Sequence, residues 1–147
     1  MTQPRLLFVC VENSCRSQMA EAFARMLAGD GVEAASGGSQ PSGVVNPRAI
    51  ESMAELGYDL GAHRSEGLDA IPPGGFDAVV TMGCGDACPH VPARRREDWQ
   101  VRDPKDLPAE EFRAVRDDIR RRVAALLGDL GVAPGPEATG PGEPAGT

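Results

Sequence analysis

The chain has 147 residues, a length that fits one domain able to bury a hydrophobic core. Its formal net charge is −7, from 15 Lys and Arg against 22 Asp and Glu, which argues against a nucleic-acid surface with clustered positive charge. No apolar run approaches the roughly 18 residues of a membrane span, and the N-terminus lacks a secretory layout, so we expect a cytoplasmic protein with no membrane or nucleic-acid partner.

The first third of the chain predicts a strand, a helix and a strand. Residues 5–10 (RLLFVC) form a continuous apolar run, which is typical of a buried strand in a parallel sheet. Residues 18–28 predict an amphipathic helix, and residues 32–36 predict a second, weaker strand. The apolar side chains that share one face of this helix are Met19, Phe23, Met26 and Leu27.

The rest of the chain continues the alternation of helices and strands. Residues 47–56 predict a helix with Asn46 as its N-cap, and residues 76–82 (FDAVVTM) predict a third strand. We expect residues 91–107 to be irregular. The longest helix is predicted at 108–130, with the charged segment RDDIRRR on its solvated side.

This order of elements predicts an α/β domain, residues 1–131, built on a parallel sheet. After Gly131 the chain is rich in Pro and Gly and has no large apolar residue. Residues 132–147 are therefore predicted to be a disordered tail.

The loop between the first strand and the first helix, residues 10–17 (CVENSCRS), points most directly to chemistry. Successive backbone N–H groups in a tight loop that leads into a helix N-terminus form a concave anion site. Arg16 adds bidentate contact to a tetrahedral oxyanion, and the positive environment favours the thiolate form of Cys10. The predicted anion-binding residues are Val11, Glu12, Asn13, Ser14, Cys15, Arg16 and Ser17.

Three side chains of this loop carry more specific expectations. Ser17 is expected to bond the Cys10 sulfur, and Asn13 to brace the loop in a left-handed backbone conformation. A carboxylate at Glu12 weakens anion binding unless it points outward or meets an arginine. The alternative for the whole segment is a buried cysteine at a strand end beside a surface arginine, because Cys-x5-Arg alone often arises by chance. The strand before it and the helix after it favour the thiolate site.

The segment FVCVENSCRSQMAEAFAR, residues 8–25, resembles the active-site loop and first helix of thiol-dependent arsenate reductases related to low-molecular-weight tyrosine phosphatases. Further matches follow in order over about residues 5–130. The resemblance implies a three-layer α/β/α fold with a short central parallel sheet, and reduction of arsenate to arsenite. The further matching segments are SGG (36–38), VNPRAIESM (45–53), HRS (63–65), VVTMGCGDACP (79–89), EDWQVRDP (97–104) and EEFRAVRDDIRRRV (110–123).

A second pair of cysteines, Cys84 and Cys88, follows the third strand directly. A phosphatase leaves this pair unexplained, whereas reducing arsenate takes two electrons, which thiol–disulfide exchange supplies. The resemblance implies that Cys10 attacks arsenic, Cys84 attacks Cys10 with release of arsenite, and Cys88 attacks Cys84. Two alternatives remain: a metal site that includes His90, whose spacing is not that of usual zinc sites, and two inert half-buried cysteines.

The remaining site residues are assigned by resemblance. Asp103, held extended before a proline, is the implied general acid, and the alternative is a simple polar turn. Cys15 is expected to pack beneath the loop, and His63 receives no role. Some relatives bind potassium through counterparts of Asn13, Glu21 and Ser36, but Arg64 and Glu66 depart from their pattern, so no metal is assigned.

The expected partners are arsenate, with phosphate or sulfate as analogues, and thioredoxin. Thioredoxin serves as an external thiol reductant for a monomeric enzyme with no tightly bound cofactor. Another thiol system is the alternative reductant, because only three residues separate the paired cysteines, fewer than in related enzymes. Two alternative functions are a tyrosine phosphatase with protective cysteines, which one tyrosine and 4% aromatic residues weakly disfavour, and a thiol-based arsenic or zinc sensor without turnover.

Overall fold

The computed structural model describes residues 3–68, 71, 74–82 and 91–132. Within these residues the chain alternates between strands and helices. Two short 3-10 turns, Gly29–Gly31 and Leu60–Ala62, join longer elements. The longer elements are β1 (Arg5–Cys10), α1 (Arg16–Ala28), β2 (Glu33–Gly38), α2 (Pro47–Ala54), β3 (Phe76–Met82), β4 (Ala93–Asp98) and α3 (Ala109–Asp129).

The four strands form one parallel sheet in the order β2-β1-β3-β4. Cys10, the last residue of β1, pairs with Gly38 on one side and with Met82 on the other. The chain leaves β1 for a neighbour on one side and later returns to its other side, so the direction of winding reverses at β1. Open parallel sheets bind ligands at the carboxyl ends of strands beside such a reversal. The topology therefore places Cys10 at the expected ligand position.

Buried apolar side chains pack against both faces of the sheet. Successive residues of a strand point to opposite faces, and the two clusters divide β1 in this way. Leu6 and Phe8 join a large cluster to which α1, α2 and α3 all contribute. The predicted α/β fold with a short central parallel sheet is confirmed. The opposite cluster contains Leu7 and Val9, with Leu68, Ile71 and Val91 packed against them.

The predicted elements are found, with shifted boundaries at several ends. The first and third strands match the predicted residues 5–10 and 76–82. α1 begins at Arg16 instead of residue 18, because its first turn carries buried polar side chains that an apolar repeat does not mark. β2 runs to Gly38, since its pairing with β1 continues through two glycines.

The prediction that residues 91–107 are irregular is wrong for Ala93–Asp98, which form β4. This strand has the sequence ARRRED and lies at the edge of the sheet that the described residues form, where it pairs with β3. Its side chains alternate between partly buried and exposed. Charged residues on edge strands prevent pairing with other sheets, and they also conceal the strand from an apolar pattern.

The segment RDDIRRR of α3 is not wholly solvated, as the sequence suggested, because the side chain of Arg116 is buried. Its guanidinium donates to the carbonyl oxygen of Ser52 on α2 at 3.0 Å and to Glu55 at 2.8 Å. Arg113 adds a second contact to Glu55 at 2.8 Å. These contacts join α2 to α3. They connect residues that are far apart in the sequence, so the apolar repeat of α3 does not predict them.

The predicted tail stays a prediction. Val132 packs against the main core, and residues 133–147 lie outside the described part of the chain. Within the described part, no helix combines the length and the apolar character needed to cross a membrane.

Candidate active site

The loop between β1 and α1 is held open by contacts that turn its carbonyl groups outward. The carbonyl oxygens of residues 11–15 all accept hydrogen bonds at 2.8–3.1 Å. In a planar trans peptide the N–H group points opposite to the carbonyl, so the N–H groups of residues 12–16 face the concave side of the loop. This arrangement, next to the N-terminus of α1, is suited to an anion. The donors are the backbone N–H groups of Gln40, Ser42, Asn46 and Met19 and the side chains of Gln18 and Ser65.

A close approach between this loop and the end of β2 fixes the shape of the loop. A Cβ atom at Gly38 would lie 2.6 Å from the carbonyl oxygen of Val11 and 2.8 Å from the amide nitrogen of Asn13. Asn13 has a φ of 49°, the left-handed conformation predicted for it. The loop can therefore adopt this curvature only because position 38 carries no side chain.

The nucleophile candidate Cys10 is buried and lies at the end of a hydrogen-bonded chain of side chains. Its sulfur is 2.9 Å from the hydroxyl oxygen of Ser17, as the sequence predicted. The amide of Asn13 donates to the same hydroxyl oxygen at 2.9 Å, which leaves the hydroxyl proton for the sulfur. A hydroxyl donor stabilises the thiolate form of a cysteine.

Gln18 and His63 continue this chain away from the cleft. The amide nitrogen of Gln18 donates to the side-chain and backbone oxygens of Asn13 at 3.0 Å, so its amide oxygen is left to accept from His63 Nδ1 at 2.9 Å. His63 Nε2 then accepts from the hydroxyl of Tyr58 at 2.6 Å. Burial lowers the pKa of His63, which favours the neutral imidazole, and in that form the contact with Gln18 places the single ring proton on Nδ1. Neither Gln18 nor His63 was assigned a role from the sequence.

An open cleft of about 240 Å³ lies over the loop. Arg16 borders it with its guanidinium 3.9 Å from the carboxylate of Asp103. Across the same cleft, the ammonium group of Lys105 lies 3.7 Å from the carboxylate of Glu12. The Glu12 side chain is half-exposed, and its partner is a lysine instead of the arginine that the sequence suggested. The loop and the segment after β4 each contribute one acid and one base to the cleft.

Cys15 packs beneath the loop, as expected. Its side chain is 5% exposed, and burial raises the pKa of the Cys15 thiol to about 12. A thiol with this pKa stays protonated at neutral pH and does not act as a nucleophile. The two cysteines of the loop are therefore chemically distinct.

The positions that resemble a potassium site are occupied by an internal ion pair. The Glu21 carboxylate accepts a hydrogen bond from the Ser36 hydroxyl at 2.6 Å and contacts the guanidinium of Arg25 at 2.8 Å. A protein cation already neutralises this carboxylate.

The structure brings together the predicted residues of the loop and Asp103, which comes from the segment that precedes α3. Cys84, Cys88 and His90 lie outside the described residues. Sequence reasoning did not identify Lys105, although a lysine two residues after the Asp of an Asp-Pro turn is placed to reach the same cleft. It also missed Arg48, whose contacts are described below.

Comparison with known proteins agrees with this geometry. Residues 5–133 match the family model described as low molecular weight phosphotyrosine protein phosphatase. An arsenate reductase of Staphylococcus haemolyticus (strain JCSC1435), named Arsenate reductase 2, is 41% identical over 130 residues, which span 86% of this chain and 98% of that relative.

Two solved structures are also similar. One shows an arsenate reductase in the phosphate binding state, with 35% identity, a TM-score of 0.78, and coverage of 87% of this chain and 99% of the other. The other is the thioredoxin-dependent arsenate reductase Cg_ArsC1' of Corynebacterium glutamicum, with 31% identity, a TM-score of 0.72, and coverage of 88% and 62%. The chain therefore belongs to the low molecular weight phosphotyrosine protein phosphatase family, among its arsenate reductases.

Proposed function

We propose that this arsenate reductase uses Cys10 as its nucleophile, Arg16 and the loop N–H groups to bind arsenate, and Asp103 as its general acid. The observation that carries the proposal is the position of the Cys10 sulfur, which receives the Ser17 hydroxyl at the base of a loop whose carbonyl groups all turn outward. Thiolate, inward N–H groups and a guanidinium together suit attack on the central atom of a tetrahedral oxyanion. Asp103 lies on the Arg16 side of the cleft, where it can protonate a departing oxygen.

The proposed reaction proceeds in three exchanges. The Cys10 thiolate forms a bond to arsenic, and an arsenate oxygen protonated by Asp103 leaves as water. The Cys84 thiolate then attacks the Cys10 sulfur, the sulfur–arsenic bond breaks, and its electron pair stays on arsenic, which leaves as arsenite. Cys88 next attacks Cys84, which frees Cys10 as a thiolate and leaves a Cys84–Cys88 disulfide. Two electrons pass from thiols to arsenic, which balances the reduction.

Thioredoxin is the proposed reductant of that disulfide. The similarity to a structure named as a thioredoxin-dependent arsenate reductase supports this choice. A dithiol donor also supplies in one molecule the two electrons that reduction of a disulfide takes. We place the enzyme in the cytoplasm, because its three reactive cysteines must be kept as thiols between turnovers.

The test is arsenate-dependent NADPH oxidation with thioredoxin and thioredoxin reductase. The intact chain should turn over, and Cys10→Ser, Cys84→Ser and Cys88→Ser should each stop turnover. Without reductant, Cys88→Ser should release one equivalent of arsenite and trap a Cys10–Cys84 disulfide, which mass spectrometry identifies. Release of arsenite by Cys84→Ser with a Cys10–Cys88 disulfide would reverse the order of the two cysteines.

Two further results would replace the proposal. Hydrolysis of a phosphate monoester that requires only Cys10, with no arsenate turnover, would make the chain a phosphatase. Thiol-dependent metal binding that survives Arg16→Ala, again without turnover, would make it a sensor. The proposed enzyme loses nearly all activity on Arg16→Ala, because the guanidinium contacts the oxyanion directly.

A further inference from the structure

The segment that carries Asp103 lies between β4 and α3 and has no regular secondary structure from Trp99 to Pro108. Its backbone is instead held by two guanidinium groups. Arg16 donates to the carbonyl oxygen of Val101 at 3.2 Å. Arg48 donates through Nη1 to the carbonyl oxygen of Lys105 at 2.8 Å, and through Nη2 to that of Leu107. The two arginines thus hold the segment on either side of Asp103.

Arg48 is also connected to the anion-binding loop by hydrogen bonds through Asn46. Its backbone N–H donates to the Asn46 side chain at 2.8 Å, and the Asn46 N–H donates to the carbonyl oxygen of Ser14 at 2.9 Å. The guanidinium carbon lies 4.8 Å from the centre of the Phe112 ring on α3, a cation–π contact that fixes the side chain from its other face. Arg48 therefore connects the loop to the Asp103 segment through a chain of short contacts.

The carboxylate of Asp103 depends on the backbone that Arg48 holds. Asp103 Oδ1 accepts from the backbone N–H of Lys105 at 3.1 Å, and the Leu107 N–H donates to the carbonyl oxygen of Pro104 at 3.0 Å. The carboxylate is half-exposed, and its contact with Arg16 is 3.9 Å long. Its position is therefore set mainly by the turn at 103–107, whose outward carbonyls Arg48 binds.

We infer that Arg48 is a positioning residue that holds the Asp103 carboxylate over the cleft by binding the carbonyl groups of Lys105 and Leu107. The inference rests on the proposed role of Asp103 as general acid. Displacing a catalytic group by about 1 Å costs up to ~100-fold in rate, so loss of this contact acts on the chemical step and leaves oxyanion binding nearly intact. Lysine can replace it only in part, because a single ammonium lacks the planar fork that reaches two carbonyls.

The experiment measures kcat and KM for arsenate in Arg48→Met and Arg48→Lys, alone and combined with Asp103→Asn. Arg48→Met should lower kcat by about 10- to 100-fold and change KM by less than about 3-fold. Arg48→Lys should retain an intermediate kcat. In the Asp103→Asn background, Arg48→Met should have almost no further effect, because the group that it positions is gone.

Arg113→Met is the matched control. Arg113 joins the same two helices through Glu55 but contacts no residue of the segment 101–107 among its recorded partners, so kcat should be unchanged. An equal fall in kcat for Arg48→Met with and without Asp103→Asn would overturn the inference and leave Arg48 a stabilising residue only.

A second measurement needs no turnover and so separates this inference from the proposed function. Amide hydrogen exchange across residues 101–107 should be faster in Arg48→Met than in the intact chain and unchanged in Arg113→Met. If the intact chain fails to reduce arsenate, the proposed function fails while the exchange result still decides whether Arg48 holds the segment. Unchanged exchange in Arg48→Met would overturn the inference.

Discussion

The hydroxyl oxygen of Ser17 lies 2.9 Å from the sulfur of Cys10 and accepts a hydrogen bond from the side-chain amide of Asn13, so its own proton is available to a Cys10 thiolate, which can only accept. Hydrogen bonds to charged groups contribute about 1.5–3 kcal/mol, so Ser17→Ala should slow alkylation of Cys10 by iodoacetamide at neutral pH by at least about tenfold. The rate of Cys10 carbamidomethylation, followed by mass spectrometry, measures this effect.

Ser36→Ala is the control for this substitution, because the Ser36 hydroxyl is also partly buried but donates to Glu21 instead of the sulfur. In Ser36→Ala, Cys10 should be alkylated at the same rate as in the intact chain. Equal rates for Ser17→Ala and Ser36→Ala would show that the hydroxyl does not support the thiolate.

Cys15 should be inert beside a reactive Cys10. With a pKa of about 12, its thiolate fraction at pH 8 is about one in 10,000. In a chain that carries Cys84→Ser and Cys88→Ser, iodoacetamide at pH 8 should therefore add one group, on Cys10, and a second group only after unfolding in urea. Peptide mapping identifies the modified residue, and early modification of Cys15 in the folded chain would contradict the burial of this thiol.

The pair formed by Glu12 and Lys105 should tune arsenate binding through charge. Glu12→Gln removes a carboxylate from the cleft and frees Lys105, so KM for arsenate should fall by about 2- to 5-fold, whereas Lys105→Met should raise it by a similar factor. Both effects should shrink as ionic strength rises, because exposed charges are screened. Glu33→Gln removes the same charge at the opposite end of the sheet, where Glu33 pairs with Arg5, and should leave KM unchanged.

His63 should make stability depend on pH. Burial lowers its pKa below the ordinary value of 6.5, an effect that the nearby Glu21 carboxylate partly offsets. As pH falls through about 6.5, the unfolded chain gains a proton that the folded chain does not yet bind, so stability decreases toward and through the lowered folded pKa. The fall in Tm between about pH 7.5 and pH 5 should therefore be smaller in His63→Gln than in the intact chain.

The chain has two histidines, so His90→Gln provides the comparison for this experiment. Its Tm profile measures how much of the pH dependence comes from the second imidazole. If His63→Gln and the intact chain lose the same Tm on acidification, the buried imidazole does not account for the pH dependence.

Arg116 should contribute more to stability than its place in a charged segment suggests. Its buried guanidinium binds the Ser52 carbonyl and Glu55, so Arg116→Met removes this donor from the Ser52 carbonyl and leaves Glu55 with Arg113 alone. The loss should lower the free energy of unfolding by about 2 kcal/mol. Urea unfolding measures this loss. Arg113 is exposed and contacts the same carboxylate, so Arg113→Met should have a much smaller effect. Equal losses of stability in the two variants would assign the stabilisation to the surface pair.

The elements that follow simple repeats could be predicted from the sequence. Residues 5–10 and 76–82 are continuous apolar runs between turns, and a buried parallel strand requires such a run. β4 could not be predicted in this way, because as an edge strand it needs no second apolar partner and carries three consecutive arginines. The sheet itself, through pairing with β3, makes this segment a strand.

The residues of the candidate site also fall into two groups, those that a local sequence pattern predicts and those that it does not. The loop residues from Cys10 to Ser17 are adjacent in the sequence, so their spacing predicts an anion site directly. Lys105 and Arg48 reach the cleft or its border only through tertiary contacts, over sequence separations that no local pattern records. His63 was visible as a residue, but the placement of its proton on Nδ1 follows from the orientation of the Gln18 amide, which only the hydrogen-bond network defines.

Gly38 has a consequence for protein engineering. A methyl group there would collide with the backbone at Val11 and Asn13. The curvature of the loop after β1 therefore depends on the end of β2 as well. Transplanting the eight-residue motif alone onto another parallel sheet would carry over its thiol and arginine without the space that its backbone needs. A functional graft must also include the adjacent strand with a glycine at the position of Gly38. The smallest segment that can be transplanted with its function is therefore a pair of neighbouring strands with the loop.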